Sequence, residues 1–144
     1  MQLTQYTDYS LRVLIYLSVN MDRKITIKEI STSFKISKNH LVKVVHKLST
    51  LGFLETAPGV KGGITLAKPA NKINLGDVIQ KMEPSFHIAE CFNPNGTCII
   101  SPVCELQSIL GIALKSFLQT VGKYTLADIT KKPNAYGKLF SASL

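Results

Sequence analysis

Apolar and polar positions alternate in short helical blocks over the first fifty residues. Leu11, Leu14, Ile15 and Ser18 recur at helical spacing, and Val13, Tyr16 and Leu17 widen the apolar surface. Thr4 is placed to cap this helix, which the pattern carries to about residue 20. A helix that is apolar on more than one face is buried by more than one neighbour. Thr26 and Glu29 have capping-box spacing and open a short helix to about residue 34. Lys35 and Ile36 make a turn, Ser37 caps a third helix, and Gly52 closes it after Leu51. On that helix Leu41, Val44, Val45, Leu48 and Leu51 form one inward stripe, while Asn39, Lys43, His46, Lys47 and Thr50 share the outer face. A short helix, a tight turn and a helix with a basic, amide-bearing outer face make a helix-turn-helix pattern.

The period then changes. Residues 53–57 and 64–67 read as two short strands joined by a hairpin holding Pro58, Gly59, Val60, Lys61, Gly62 and Gly63. A glycine hairpin alone is weak evidence, but directly after a helix-turn-helix it reads as the wing of a winged helix. Its glycines allow close approach to a phosphate or a minor groove, and Lys61 brings charge to the tip. Asn74 and Asp77 open another helix, which Pro84 ends. Ser101 and Pro102 read as N-cap and first helical residue of the longest helix, to about residue 121. There Val103, Leu106, Leu110, Ala113, Phe117 and Val121 form a seam, widened by Ile109, Leu114 and Leu118. A stripe this wide, about 30 Å long, points to a partner chain, with a two-fold dimer as the default. Thr125 to Asp128 adds one helical turn, and the tail from Pro133 reads as loosely ordered.

The predicted fold is mainly α with a small two-stranded wing. Residues 1–83 form a winged helix-turn-helix DNA-binding domain, 84–101 a cysteine loop, and 102–144 a dimerisation helix and C-terminal segment. Charge sharpens this picture. The window from Arg23 to Lys72 holds ten basic and two acidic residues, net +8, while the rest has seven of each and is neutral. A local excess over a neutral remainder fits a polyanionic partner, here double-stranded DNA. Lys28, Ser37, Lys38, Lys43, Lys47, Lys61 and Gly62 are the candidate backbone contacts. Asn39 and His40 are the candidates for base edges, asparagine pairing its donor and acceptor with adenine. No leader or membrane span is evident, so the expected compartment is the cytoplasm.

All three cysteines lie in one stretch, HIAECFNPNGTCIISPVC, as Cys91, Cys98 and Cys104, separated by six and then five residues. Structural zinc favours paired, closely spaced knuckles, and this is not one. The wide spacing, interrupted by Pro94, Asn95, Gly96 and Pro102, suits a loop wrapped around a larger inorganic body such as an iron–sulfur cluster. Zinc, a thiol redox switch and structural cysteines remain open on spacing alone. An odd count in a reducing compartment argues against a disulfide framework. No phosphate-binding glycine loop and no complete hydrolytic constellation occurs, and His40, His46 and His87 are scattered. The chain does not read as an enzyme.

MQLTQYTDYSLRVLIYL, ISKNHLVKVVHKL, GGITLA and ECFNPNGTCIISPVC together resemble the Rrf-type winged-helix regulators, within them a nitric-oxide-responsive branch, over nearly the whole chain. The wing departs from that pattern: relatives commonly carry arginines before the double glycine, where this chain has Pro58, Val60 and Lys61. The resemblance implies a homodimeric repressor with a cluster, of the 4Fe–4S type, on Cys91, Cys98 and Cys104. It further implies a fourth ligand from Asp8, contributed by the other subunit, and nitric oxide as the signal. By itself Asp8 reads as a favourable charge near a helix N-terminus, and Glu90 and His87 are rival ligands close in the chain. Regulators of the same fold that sense iron, cluster supply or thiol oxidation are the alternative function, and a zinc-stabilised DNA-binding module is another.

Overall fold

The computed structural model describes residues 2–142. Seven helices and one hairpin appear among them: α1 (Gln5–Val19), α2 (Ile27–Phe34), α3 (Lys38–Thr50), β1 (Leu54–Ala57), β2 (Gly63–Leu66), α4 (Leu75–Met82), α5 (Leu106–Val121), α6 (Leu126–Ile129) and α7 (Pro133–Ala142). The caps expected at Thr4, Thr26, Ser37 and Asn74 all form, each oxygen accepting a backbone N–H three residues on. These contacts satisfy donors that a helix start leaves unpaired. The capping box at α2 is only half made. Glu29 pairs with Arg23 and accepts from the Tyr16 hydroxyl at 3.1 Å. Those bonds, the one from Arg23 foremost, hold the Glu29 carboxyl below its usual range. The reciprocal box appears instead at α6, where Asp128 accepts from both Thr125 N–H and Oγ1.

The core lies where α1, α3 and the wing meet. Val13, Leu14, Leu41, Val44, Leu48, Phe53, Ile73, Val78 and Leu126 are fully buried. Leu11 and Ile15 lie only at its margin, and the deepest face of α1 runs through Thr7, Ser10, Val13, Leu14, Leu17 and Ser18. At about 25 cal/mol per Å², each fully buried aliphatic side chain stabilises the fold by about 2 kcal/mol before chain entropy is subtracted. β1 and β2 pair antiparallel, Leu54 facing Leu66 and Ala57 facing Gly63. Ile25 adds a bridge to Ile64, with N–H···O distances of 3.1 and 2.8 Å, so the wing is stitched to the segment leading into α2. Gly62 has no room for a Cβ, which would meet the Ala57 carbonyl at 2.1 Å. The turn between α2 and α3 needs a left-handed residue, and Lys35 supplies it at φ 55°.

Two expectations are corrected. The long helix starts at Leu106 rather than near Ser101. Ser101 N–H bonds to the Cys98 carbonyl and Val103 N–H to Ile100, so Ser101–Pro102 closes turns instead of opening a helix. Cys104 therefore precedes α5 rather than lying in its first turn. The tail is also ordered into α7, with Pro133 in the first helical position, where its missing N–H costs nothing. Phe140 stacks on Tyr16 at 4.7 Å and Phe34 at 5.3 Å, fastening the C-terminal helix to α1 and α2.

The C-terminal end of α5 is clamped to α4. A Cβ on Gly76 would meet Gly122 Cα at 2.8 Å, and Asn74 Nδ2 donates to the Gly122 carbonyl at 2.6 Å. Backbone meets backbone here because Gly76 lacks a side chain. No residue of α5 is buried, and Leu106, Ile109 and Ile112 are each more than half exposed. Among the described residues, no helix is long and apolar enough to cross a membrane.

Candidate DNA-reading face and cysteine loop

α3 presents its polar side to solvent. Lys38, Asn39, His40, Lys43, His46 and Lys47 are all exposed, whereas Leu41, Val44, Val45 and Leu48 point into the core. Ser37 is exposed too, but its Oγ already accepts the His40 N–H at 3.3 Å, so only its hydroxyl proton is free for a phosphate. Lys28 stands exposed on α2, and Lys61 is exposed at the wing tip beside Val60. The Lys61 carbonyl accepts from Lys24 Nζ at 3.5 Å, adding a second cation beside the wing tip. This face carries three lysines, two histidines and the Asn39 amide on one helix, with Val42 and Thr50 exposed beside them. It can hold a sugar–phosphate backbone while presenting Asn39 and His40 to a groove.

Replacing Lys47 by alanine is expected to reduce the slope of log K against log salt by roughly one unit for each phosphate that its ammonium neutralises. Titration of an operator duplex at several salt concentrations reads this slope. An unaltered slope removes Lys47 from the interface.

The cysteine loop folds on itself ahead of α5. A 3-10 turn spans Glu90–Phe92. Glu90 accepts from Thr97 N–H at 3.0 Å and from Thr97 Oγ1 at 2.8 Å, and these bonds hold its carboxyl below the usual range. Asn93 Oδ1 accepts from Asn95 N–H, and a Cβ on Gly96 would strike the Glu90 carbonyl at 2.4 Å. The Cys91 carbonyl accepts from Gln107 Nε2 at 2.5 Å, tying the loop to the first turn of α5. Cys91, Cys98 and Cys104 are all free thiols and all partly exposed. Among the described residues, no three His, Cys, Asp or Glu side chains converge as a metal set.

Of the other expected donors, Asp8 lies on the first turn of α1 and pairs with Arg12 at 2.8 Å. His87 lines a cleft of about 340 Å³ with Leu3, Glu83, Phe86, Leu114 and Phe117. Glu90 is engaged by Thr97 as described. The three thiols thus share one loop without converging, and Asp8 lies on a different element.

Glu83 was not legible from the sequence. Its carboxylate accepts from Thr4 N–H at 3.1 Å, Thr4 Oγ1 at 3.1 Å and Thr7 Oγ1 at 2.6 Å. The residue just before Pro84 and the cysteine loop is therefore bonded to the start of α1. Two residues on from Thr4, the Tyr6 hydroxyl donates to the Lys43 carbonyl of α3 at 3.0 Å. Two separate contacts therefore tie the start of α1, one to the stem of the loop and one to α3, and only the α1 backbone and the Tyr6 ring join them. Both are long-range, so no local pattern could have announced them.

A winged helix-turn-helix with an exposed basic reading helix defines a DNA-binding transcriptional regulator rather than an enzyme. The chain belongs to the Rrf2 family, described as iron-dependent transcriptional regulators, which matches residues 3–132. It is 47% identical over 143 residues to the HTH-type transcriptional regulator NsrR of Bacillus licheniformis, covering 98% of this chain and all of that relative. It is also 47% identical to NsrR of Bacillus subtilis over 141 residues, covering 96% and 97% of the two chains. The structure of CymR, the global cysteine regulator of B. subtilis, superposes with a TM-score of 0.72 at 20% identity, over 91% of this chain and 97% of that one. That likeness speaks for the fold.

Proposed function

We propose that this chain acts in the cytoplasm as a homodimeric repressor whose grip on a double-stranded operator depends on an iron–sulfur cluster that responds to nitric oxide. Residues 1–83 read DNA, 84–101 together with Cys104 carry the sensor, and the rest of 102–144 pairs the subunits. The observation that carries the reading is the set of three unpaired thiols in one loop, Cys91, Cys98 and Cys104, bonded through its stem to the DNA-reading head. Thiolates are the usual ligands of such clusters, and Asn93, Gly96 and Glu90 already turn the loop that carries them. The donor set fits a 4Fe–4S group with one further ligand from outside the loop. Asp8 of a second copy is the donor we favour, on the family resemblance, with Glu90 and His87 as rivals close to the thiols in the chain. When bound, the group supplies an iron accessible to a small diatomic ligand.

The rest is done by the chain. The exposed apolar face of α5, with Leu106, Ile109 and Ile112, is suited to a two-fold partner. Lys28, Ser37, Lys38, Lys43, Lys47, Lys61 and Gly62 hold phosphates, and Asn39 and His40 meet base edges. A loop fixed in place keeps Glu83 on Thr4 and Thr7, and these keep α1 and α3 in register. A loop set free loosens that register, and two reading helices that must fit half-sites one turn apart lose their match.

The test is an operator titration with anaerobically purified protein. Added nitric oxide should bleach the visible absorption and lower operator affinity together. Bleaching with unchanged affinity would break the proposed coupling. The family's description as iron-dependent favours one second reading, a regulator that senses iron or cluster supply. In that case affinity follows iron loading and is indifferent to nitric oxide.

A further inference from the structure

The start of α1 and the recognition helix are separated by a groove of about 670 Å³. Gln2, Gln5, Tyr6, Tyr9, His40 and Lys43 are among its lining residues, and no carboxylate is. We infer that this groove seats the DNA backbone flanking the bases read by α3, and that Gln2 and Gln5 are DNA-contacting residues. The inference rests on the reading of α3 as the helix that enters the major groove.

Three features support the assignment. The first is charge. His40 and Lys43 are exposed on one wall, and Lys47 follows one turn along the same helix. The acidic residue in the first turn of α1, Asp8, is held by Arg12 at 2.8 Å. An anion in the groove therefore meets the Lys43 ammonium, the His40 imidazole and two amides, while the Asp8 carboxylate, paired with Arg12, shares a separate cleft with Gln2 and Gln5.

The second is the state of the amides. Gln2 and Gln5 are exposed, and among the described residues neither side chain has a hydrogen-bond partner within the chain. Glutamine amides, like backbone N–H groups, are common donors to phosphate oxygens. The backbone N–H groups of Gln5 and Tyr6, at the first two positions of α1, have no intrahelical acceptor and face the same end of the helix.

The third is rigidity. Tyr6 spends its hydroxyl proton on the Lys43 carbonyl, fixing the distance between the walls. Thr4 and Thr7 are held by Glu83. The groove is preformed, so a phosphate entering it need not order the walls. The occupant we infer is the sugar–phosphate strand beside the reading helix, because α3 contributes both the basic wall of the groove and the face turned to DNA.

The experiment uses full-length, cluster-loaded protein and an operator duplex. Gln2→Ala and Gln5→Ala are combined in one variant, with Lys47→Ala as a separate control. Affinity is measured by fluorescence anisotropy over a range of salt, and phosphate contacts are mapped by ethylation interference. The double variant should bind about tenfold more weakly, as expected when hydrogen bonds to a charged group are removed. Its salt slope should be unchanged, because a neutral amide releases no counterion. Interference should disappear at a flanking phosphate of each half-site. Unchanged affinity and interference pattern, with Lys47→Ala still impaired, would overturn the groove assignment alone. If Lys47→Ala binds normally as well, the reading of α3 itself fails. Loss of visible absorption in the double variant would assign the amides to the cluster region and also overturn the proposal.

Discussion

Cys98→Ala, purified without oxygen, is expected to contain neither iron nor sulfide, to be colourless, and to lose control of the operator, while unfolding at nearly the same temperature as the parent chain. The two halves of this result have separate causes. With Cys98 gone, two thiols remain, and a cuboidal cluster cannot be kept by two thiolates and a carboxylate in a partly exposed loop. The fold has no stake in the thiol. No residue of the hydrophobic core lies between Met82 and Leu126, and the Cys98 contribution to the loop is its carbonyl, which accepts from Ser101 N–H and survives the substitution. Metal and sulfide analysis with thermal unfolding measures both halves. A variant that keeps its full colour would exclude Cys98 as a ligand. One that unfolds much earlier would make the cysteine structural.

Glu83→Ala is expected to lower stability by about 2–3 kcal/mol and to weaken operator binding at the same time. The carboxylate receives three hydrogen bonds from the start of α1, and bonds to a charged acceptor contribute about 1.5–3 kcal/mol each at most. They share one oxygen, so their contributions do not add, and the Thr7 hydroxyl, fully buried, retains Thr4 Oγ1 at 3.1 Å. Glu83→Gln keeps an oxygen in place and should recover part of the loss. Urea unfolding gives the stability, and anisotropy with operator DNA gives the binding. The informative outcome is the ratio between them. If stability falls but the folded variant binds DNA with full affinity, the contact between loop stem and α1 carries no information and Glu83 is merely a brace.

The sequence made the reading head legible because its signals are local. Caps at Thr4, Thr26 and Ser37, the stripe from Leu41 to Leu48 and the glycines of the hairpin each act within a few residues, and each appears where the pattern places it. The failures share a different cause. Ser101–Pro102 has the composition of a helix start, but the competing turn bonds to Cys98 and Ile100 carbonyls win, and α5 begins at Leu106 without a side-chain cap. The tail carries Pro133 and Gly137, both poor helix formers, yet it folds because Phe140 finds Tyr16 and Phe34 more than a hundred residues away in the chain. Glu83 is the same kind of case. In the candidate site, thiol chemistry exposed Cys91, Cys98 and Cys104 to inspection, whereas Asp8 entered only through family resemblance, since its own surroundings explain it as the partner of Arg12.

The glycine pair at Gly76 and Gly122 has a mechanical consequence. It pins one extremity of a rod about 24 Å long, at 1.5 Å per residue over the sixteen residues of α5, while near the other extremity Gln107 donates to the Cys91 carbonyl. A rod so mounted magnifies angles: a swing of about 10° at the pinned extremity carries the free one through about 4 Å. Enlarging Gly76 by one methyl would push that pivot outward and tilt the rod against the reading head with no ligand involved.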